Sequence, residues 1–121
     1  MTNQSQSFRE VLVWQKAHAF TLSVYALTKS FPENEKFGLT SQLRRAAASI
    51  AANFVEGFRK RTTPDKLRFY NTAQGSDDEC LYPLILAHDL GYADTNPHQA
   101  AVEEVSRLLQ GYINGLHRHE D

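Results

Sequence analysis

Cysteine, tryptophan and methionine occur once each in this chain of 121 residues. A lone Cys80 excludes any intrachain disulfide and suits a reducing cytoplasm. No apolar run approaches the roughly 20 residues a membrane-spanning helix needs. The opening MTNQSQS lacks the apolar stretch of a signal peptide, so a cytoplasmic protein is expected. No glycine-rich phosphate loop and no Gly-x-Ser-x-Gly motif occurs, and no repeat, low-complexity tract or second domain is visible. A strong net charge is missing as well. At −1, the total argues against indiscriminate binding of polyanions. What is present is enough apolar sequence, 41%, to pack one core and too much for a disordered chain.

The near-zero charge hides a strong asymmetry. Residues 1–43 carry +1, residues 44–68 carry +5 and residues 69–121 carry −7. The basic block comprises Arg44, Arg45, Arg59, Lys60, Arg61, Lys66 and Arg68. A local block of this kind binds polyanions despite a neutral total, or pairs with acidic faces of another subunit. Composition leaves both readings open.

Apolar spacing divides the chain into four helical segments. In the first, Val13, Ala17, Phe20, Val24, Leu27 and Phe31 fall on one face. Ser7 and Glu10 form a capping-box pattern at its start, and Phe31-Pro32 marks its end. In the second, Leu39, Leu43, Ala47, Ile50, Phe54 and Phe58 make the seam. Ala46, Ala48, Ala51 and Ala52 around it allow close helix approach, and Gly57 weakens the last turn. Thr63 as N-cap and Pro64 at the first helical position open the third, about 64–90. Leu67, Tyr70, Ala73, Leu81, Leu84 and His88 point inward there, with interruptions at Gly75 and Pro83 and a kink near 79–83. Gly91 ends it in a left-handed turn. Asn96-Pro97 caps the fourth, whose seam is Val102, Val105, Leu109, Tyr112 and Leu116. Short connections make sequential helices antiparallel neighbours. The expected fold is an all-α, up-down-up-down antiparallel four-helix bundle over 8–117, with tails at 1–7 and 118–121.

Catalytic and metal chemistry find little support. His117 and His119 are two apart and diverge on a helix, while His18, His88 and His98 are scattered without a Glu-x-x-His pair. Asp77, Asp78 and Glu79 diverge by about 100° each and suit a solvated face. Cys80, flanked by carboxylates, suits a small core position. No enzyme activity, cofactor or metal is expected.

The basic block and the aromatics remain. Antiparallel pairing gathers Arg59, Lys60, Arg61, Lys66 and Arg68 at the bundle end that carries the turn between the second and third helices. Arg44 and Arg45 lie about 20 Å away at 1.5 Å per residue. Arginine's planar fork suits phosphate, and a solvated bundle end suits the same residues. Trp14, Tyr25, Tyr82 and Tyr92 flank the seams and fit core or oligomer contacts better than base stacking.

The segments FREVLVWQKAH, FGLTSQLRRAAASIAANFVEGFRKR and LRFYNTAQGS…LAHDLGY resemble a bacterial four-helix-bundle family, that of the 23S rRNA intervening-sequence proteins. The resemblance spans residues 8–92. That family looks related in turn to the accessory variability proteins of diversity-generating retroelements, basic pentameric rings that bind nucleic acid and a reverse transcriptase. The resemblance implies a non-catalytic homopentamer and a partner among RNA, DNA or a reverse transcriptase. It also implies nucleic-acid contacts at Lys16, Arg44, Arg45, Arg59, Lys60 and Arg61, which match the family's basic positions. Cyclic symmetry would join separate basic patches into one track. The alternative is a structural or protein-binding homo-oligomer with no nucleic-acid role.

Overall fold

In a computed structural model, which describes residues 7–118, four α-helices form an antiparallel bundle. They are α1 (Leu12–Thr28), α2 (Leu39–Phe58), α3 (Thr63–Asp89) and α4 (Asn96–Arg118). Two single 3₁₀ turns, Phe8–Glu10 and Glu33–Glu35, precede α1 and α2. No strand occurs among the described residues. Each helix packs on its sequence neighbours, and α1 closes the ring against α4. Side-chain pairs set the directions. Thr21 meets Ala47 while Arg44 meets Thr28, and Ser49 meets Ser76 while Phe54 stacks on Tyr70. Gln74 meets Ser106 while Thr95 meets Leu84.

Three of the four seams are buried as their spacing implies. Val13, Ala17, Phe20 and Val24 of α1, Leu39, Leu43, Ala47, Ile50 and Phe54 of α2, and Val102, Val105 and Leu109 of α4 line the core. Ile113 joins them, whereas Leu27, Phe58, Tyr112 and Leu116 sit at its edge. Ala48 and Ala52 face outward, so only part of the alanine stripe mediates close packing.

The third seam differs from expectation. Tyr70, Ala73, Asp77, Cys80, Leu84 and Ala87 follow each other at helical spacing and are all buried. Leu81 and His88 are only half-buried. Neither Gly75 nor Pro83 interrupts α3, which runs unbroken with Pro83 buried inside it. Asp77 therefore belongs to the core and not to a solvated face; its side chain is 2% exposed. Helical phase, not polarity, decides which side of α3 a residue occupies.

Helix ends shift by a few residues for identifiable reasons. Ser7 caps the 3₁₀ turn, accepting from the Arg9 amide, and Val11 is extended, so α1 starts afresh at Leu12. It ends at Thr28, ahead of Phe31-Pro32, where Thr28 and Ser30 bond back to the carbonyls of Val24 and Leu27. Thr62, not Thr63, caps α3 by accepting from the Asp65 amide. At α4 the Thr95 carbonyl accepts from the Gln99 amide, one residue before the expected cap at Asn96. In both cases proline occupies the second helical position, where its missing N–H is equally harmless. Gly91, at φ 79°, ends α3 as expected. Its amide donates to the His88 carbonyl and that of Tyr92 to Ala87, the two bonds of a Schellman motif. Apart from Ser7 and Arg118, the expected tails lie outside the described residues, as does His119 of the His117–His119 pair.

Candidate nucleic-acid interface

The short connection from α2 to α3 brings the end of one basic run beside the start of another. Around it lies an aromatic scaffold. Fully buried Tyr70 stacks on Phe54 at 5.2 Å and meets Tyr112 edge-on at 5.7 Å. Gly57 makes this possible: a Cβ there would lie 2.5 Å from the Tyr70 ring. Its absence lets the α2 backbone close on α3, a clearer reason for the glycine than a weakened turn.

The N-terminal turn folds onto the same end. The Arg9 guanidinium lies 5.5 Å from the Phe8 ring centre and 5.4 Å from that of Trp14. Arg59, at the α2 C-cap, lies 5.5 Å from the same Phe8 ring. Phe8 meets Trp14 edge-on at 5.1 Å, and Trp14 stacks on exposed His18 at 4.9 Å and 12°. The side-chain amide of Gln15 donates to the Arg9 carbonyl at 2.8 Å and holds the turn against α1. Nearby, Lys60 and Arg68 both stand over Phe69, at 5.1 and 5.5 Å. Arg61 is exposed on the connection itself. Half-buried rings thus hold exposed Arg9, Arg59 and Arg68 and half-buried Lys60.

Lys66 has an internal task. Its ammonium donates to the carbonyls of Phe58, at 2.9 Å, and Gly57, at 3.4 Å, satisfying the C-terminal end of α2. Partial burial lowers its pKa.

The remaining nominated cations do not join this end. Arg44 lies across α1: its Nε donates to the Thr28 hydroxyl at 2.7 Å, Nη2 to the Tyr25 carbonyl at 3.3 Å, and its guanidinium sits 4.6 Å from the Tyr25 ring centre. Arg45 donates to the Ser41 hydroxyl. With Gln42, Ala46, Ser49 and Glu79 it lines an open groove of about 220 Å³ between α2 and α3. Lys16 faces Glu104 of α4 at 3.9 Å, both side chains being almost half exposed. Of the nominated aromatics, Trp14 belongs to the cation-bearing end, and Tyr92 donates to Glu35 at 2.8 Å. Tyr25 and Tyr82 are exposed, at 42% and 65%.

Sequence reasoning missed Phe8, Arg9, His18 and Phe69 as members of the basic end. The signal was available in the topology, because an up-down bundle places the start of α1 beside the α2–α3 turn. Asp77 was missed as a buried group. Neither of its oxygens has a hydrogen-bond partner among the described residues, and burial, with repulsion from Asp78 second, pushes its carboxyl up to about 7. Cys80 is fully buried, and burial, then the charges of Asp77 and Glu79, pushes its thiol up to about 12. That suits a core residue and not a nucleophile. No cluster of three or more metal-ligating side chains occurs among the described residues. No helix of the described residues is long and apolar enough to cross a membrane.

The architecture defines a single-domain, all-α four-helix bundle with a cluster of ring-borne cations on one end. The chain belongs to the 23S rRNA-intervening sequence protein family, whose model matches residues 9–112. It is similar in fold to a protein of unknown function of the S23 ribosomal protein family from Bacteroides thetaiotaomicron. The two share 24% identity at a TM-score of 0.78, over 84% of this chain and 98% of that one. No curated protein is significantly similar to it.

Proposed function

We propose that the chain is a non-catalytic, oligomeric accessory factor that binds nucleic acid or a ribonucleoprotein in the cytoplasm through its basic end. The observation that carries this reading is the gathering of Arg9, Arg59, Lys60, Arg61 and Arg68 around one turn, four of them standing over rings. Cations placed this way offer several phosphate contacts without losing internal bonds. Arg45 and Lys16 join the same surface through neighbouring copies in a ring, five in number if the family resemblance extends to assembly.

The test is binding of a labelled RNA hairpin and a DNA duplex across a salt series. Phosphate contacts make log K fall linearly with log salt. Arg59→Ala and Arg61→Ala should each flatten the slope by about 0.7–0.9. Absence of binding at low salt overturns the reading. The second reading, a purely structural or protein-binding homo-oligomer, draws on the exposed Leu22, Tyr25, Phe37, Tyr82 and Leu90. It calls for a defined oligomer mass in light scattering together with that absence of binding.

A further inference from the structure

We infer that the Phe8, Arg9, Trp14, His18 and Arg59 cluster is a stacking platform for unpaired bases, so that the basic end takes single strands or loops in preference to duplex. The inference rests on the nucleic-acid reading and adds to it the form of the ligand. Two features of the cluster exceed what phosphate attraction alone requires.

First, both arginines stand over aromatic rings and are exposed. Arg9 lies over Phe8 and Trp14, and Arg59 over Phe8, all within the roughly 6 Å at which ring and cation attract. A phosphate contact needs only charge and reach. An exposed guanidinium beside rings offers a plane on which an unpaired base stacks. Second, the stack ends in an exposed ring. His18 lies nearly parallel to Trp14 and is open to solvent. The platform is also preorganised. The Ser7 cap, the Gln15 bond to the Arg9 carbonyl and the edge-on Phe8–Trp14 contact fix it before any ligand arrives.

Lys60, Arg61 and Arg68 flank the platform with charges for the adjoining phosphates. An unpaired strand presents base faces and phosphates together. A duplex hides its base faces in its own stack, leaving the platform nothing to hold.

Trp14 is the only tryptophan, so its emission reports on the platform directly. The full chain is titrated with mixed-sequence 12-nucleotide single strands of RNA and of DNA, and with duplexes of the same length. Single strands should bind about tenfold more tightly and quench Trp14, since stacking contributes on that order per base. Whichever of RNA and DNA binds better identifies the strand. Arg9→Lys and Arg59→Lys keep the charge and lose the plane. They should weaken single-strand binding severalfold and duplex binding less, leaving the circular dichroism spectrum unchanged. Duplex binding equal to or tighter than single-strand binding, unquenched Trp14, or lysine variants that match the parent would overturn the platform while leaving the nucleic-acid reading intact. No binding of either form overturns both.

Discussion

The two ends of the bundle use their arginines differently. At the end built from the N-terminal turn and the α2–α3 connection, cations stand on rings and face solvent. At the other end, formed by the α1–α2 connection and the α3–α4 turn, Arg44 and Glu35 bond inward, while Lys36 stands over exposed Phe37 and Lys29 is exposed. Arg44 clamps α2 to the last turns of α1. The Glu35 carboxylate accepts from the Leu39 amide at 3.0 Å and the Tyr92 hydroxyl at 2.8 Å, tying the first amide of α2 to the α3–α4 turn. Phe37 is 89% exposed at that end and Leu90 52%, among exposed Lys29, Glu33, Lys36 and Asp89. An arginine's residue type therefore says little about its use. The neighbours that occupy its donors decide whether it is available to a partner.

Between the ends lies a third treatment, a carboxyl buried without any partner among the described residues, and it yields the largest expected effect. The Asp77 pKa is about 7 in the folded chain, against 3.8 as its ordinary value. The folded state therefore holds a proton that the unfolded state releases between those values. Stability from this group is full below about pH 4, falls as pH rises toward 7 and is level above it. The charged groups nearby along α3 are Asp78 and Glu79. On the adjoining helices Arg44 turns to α1, Arg45 to the groove and Glu104 toward Lys16. Asp77→Asn should match the parent near pH 4 and exceed it by up to about 4 kcal/mol at pH 8. Urea denaturation across that range measures the gap, and a constant gap would place the Asp77 charge in water.

Next in size is a test of the scaffold under the basic end. Gly57→Ala gains about 1 kcal/mol of helix propensity. It also drives a methyl group into the Tyr70 ring, which is packed between Phe54 and Tyr112. Overpacking of this kind costs about 1–3 kcal/mol, so a net loss is expected in urea melts, with altered near-ultraviolet aromatic signals. A variant as stable as the parent would mean that Tyr70 has room to move.

The sequence made some of this legible and hid the rest for physical reasons. The seams of α1, α2 and α4 could be followed because they are apolar at every turn. The seam of α3 passes through Ser76, Asp77 and Cys80, so a search for apolar residues slipped toward Leu81 and His88. Keeping the phase set by Tyr70 and Ala73 leads to Asp77, Cys80, Leu84 and Ala87. The grouping of Arg59 through Arg68 followed from bundle topology. That Arg9 meets Arg59 over one ring, or that Arg44 spends its donors on α1, depends on long-range geometry that spacing does not carry.

The contrast between the two arginine environments makes a paired prediction of intermediate size. Arg44→Ala removes bonds to Thr28 and Tyr25 and should destabilise the chain by about 1–2 kcal/mol. Arg59→Ala, at an exposed site, should stay within about 0.5 kcal/mol of the parent. Binding should reverse the order, with the Arg59 variant losing more affinity for nucleic acid. If Arg44→Ala weakens binding more and stability less, the assignment of the two ends is inverted.

The smallest effect concerns Glu35, and its sign distinguishes it from Asp77. Bonds from the Leu39 amide, first, and the Tyr92 hydroxyl hold its pKa below the ordinary carboxylate value, while Tyr92 is raised by the same contact. A depressed carboxylate stabilises above its unfolded pKa and loses that contribution as pH falls through the folded one. Glu35→Gln should therefore lower the melting temperature slightly at pH 7 and converge with the parent as pH falls through the lowered folded value of Glu35. At neutral pH the two substitutions separate in opposite directions, Asp77→Asn upward and Glu35→Gln downward. That opposition follows from whether a carboxylate has been given donors. If both variants shifted the same way with pH, the difference between a bridged and a buried carboxyl would not hold in this bundle.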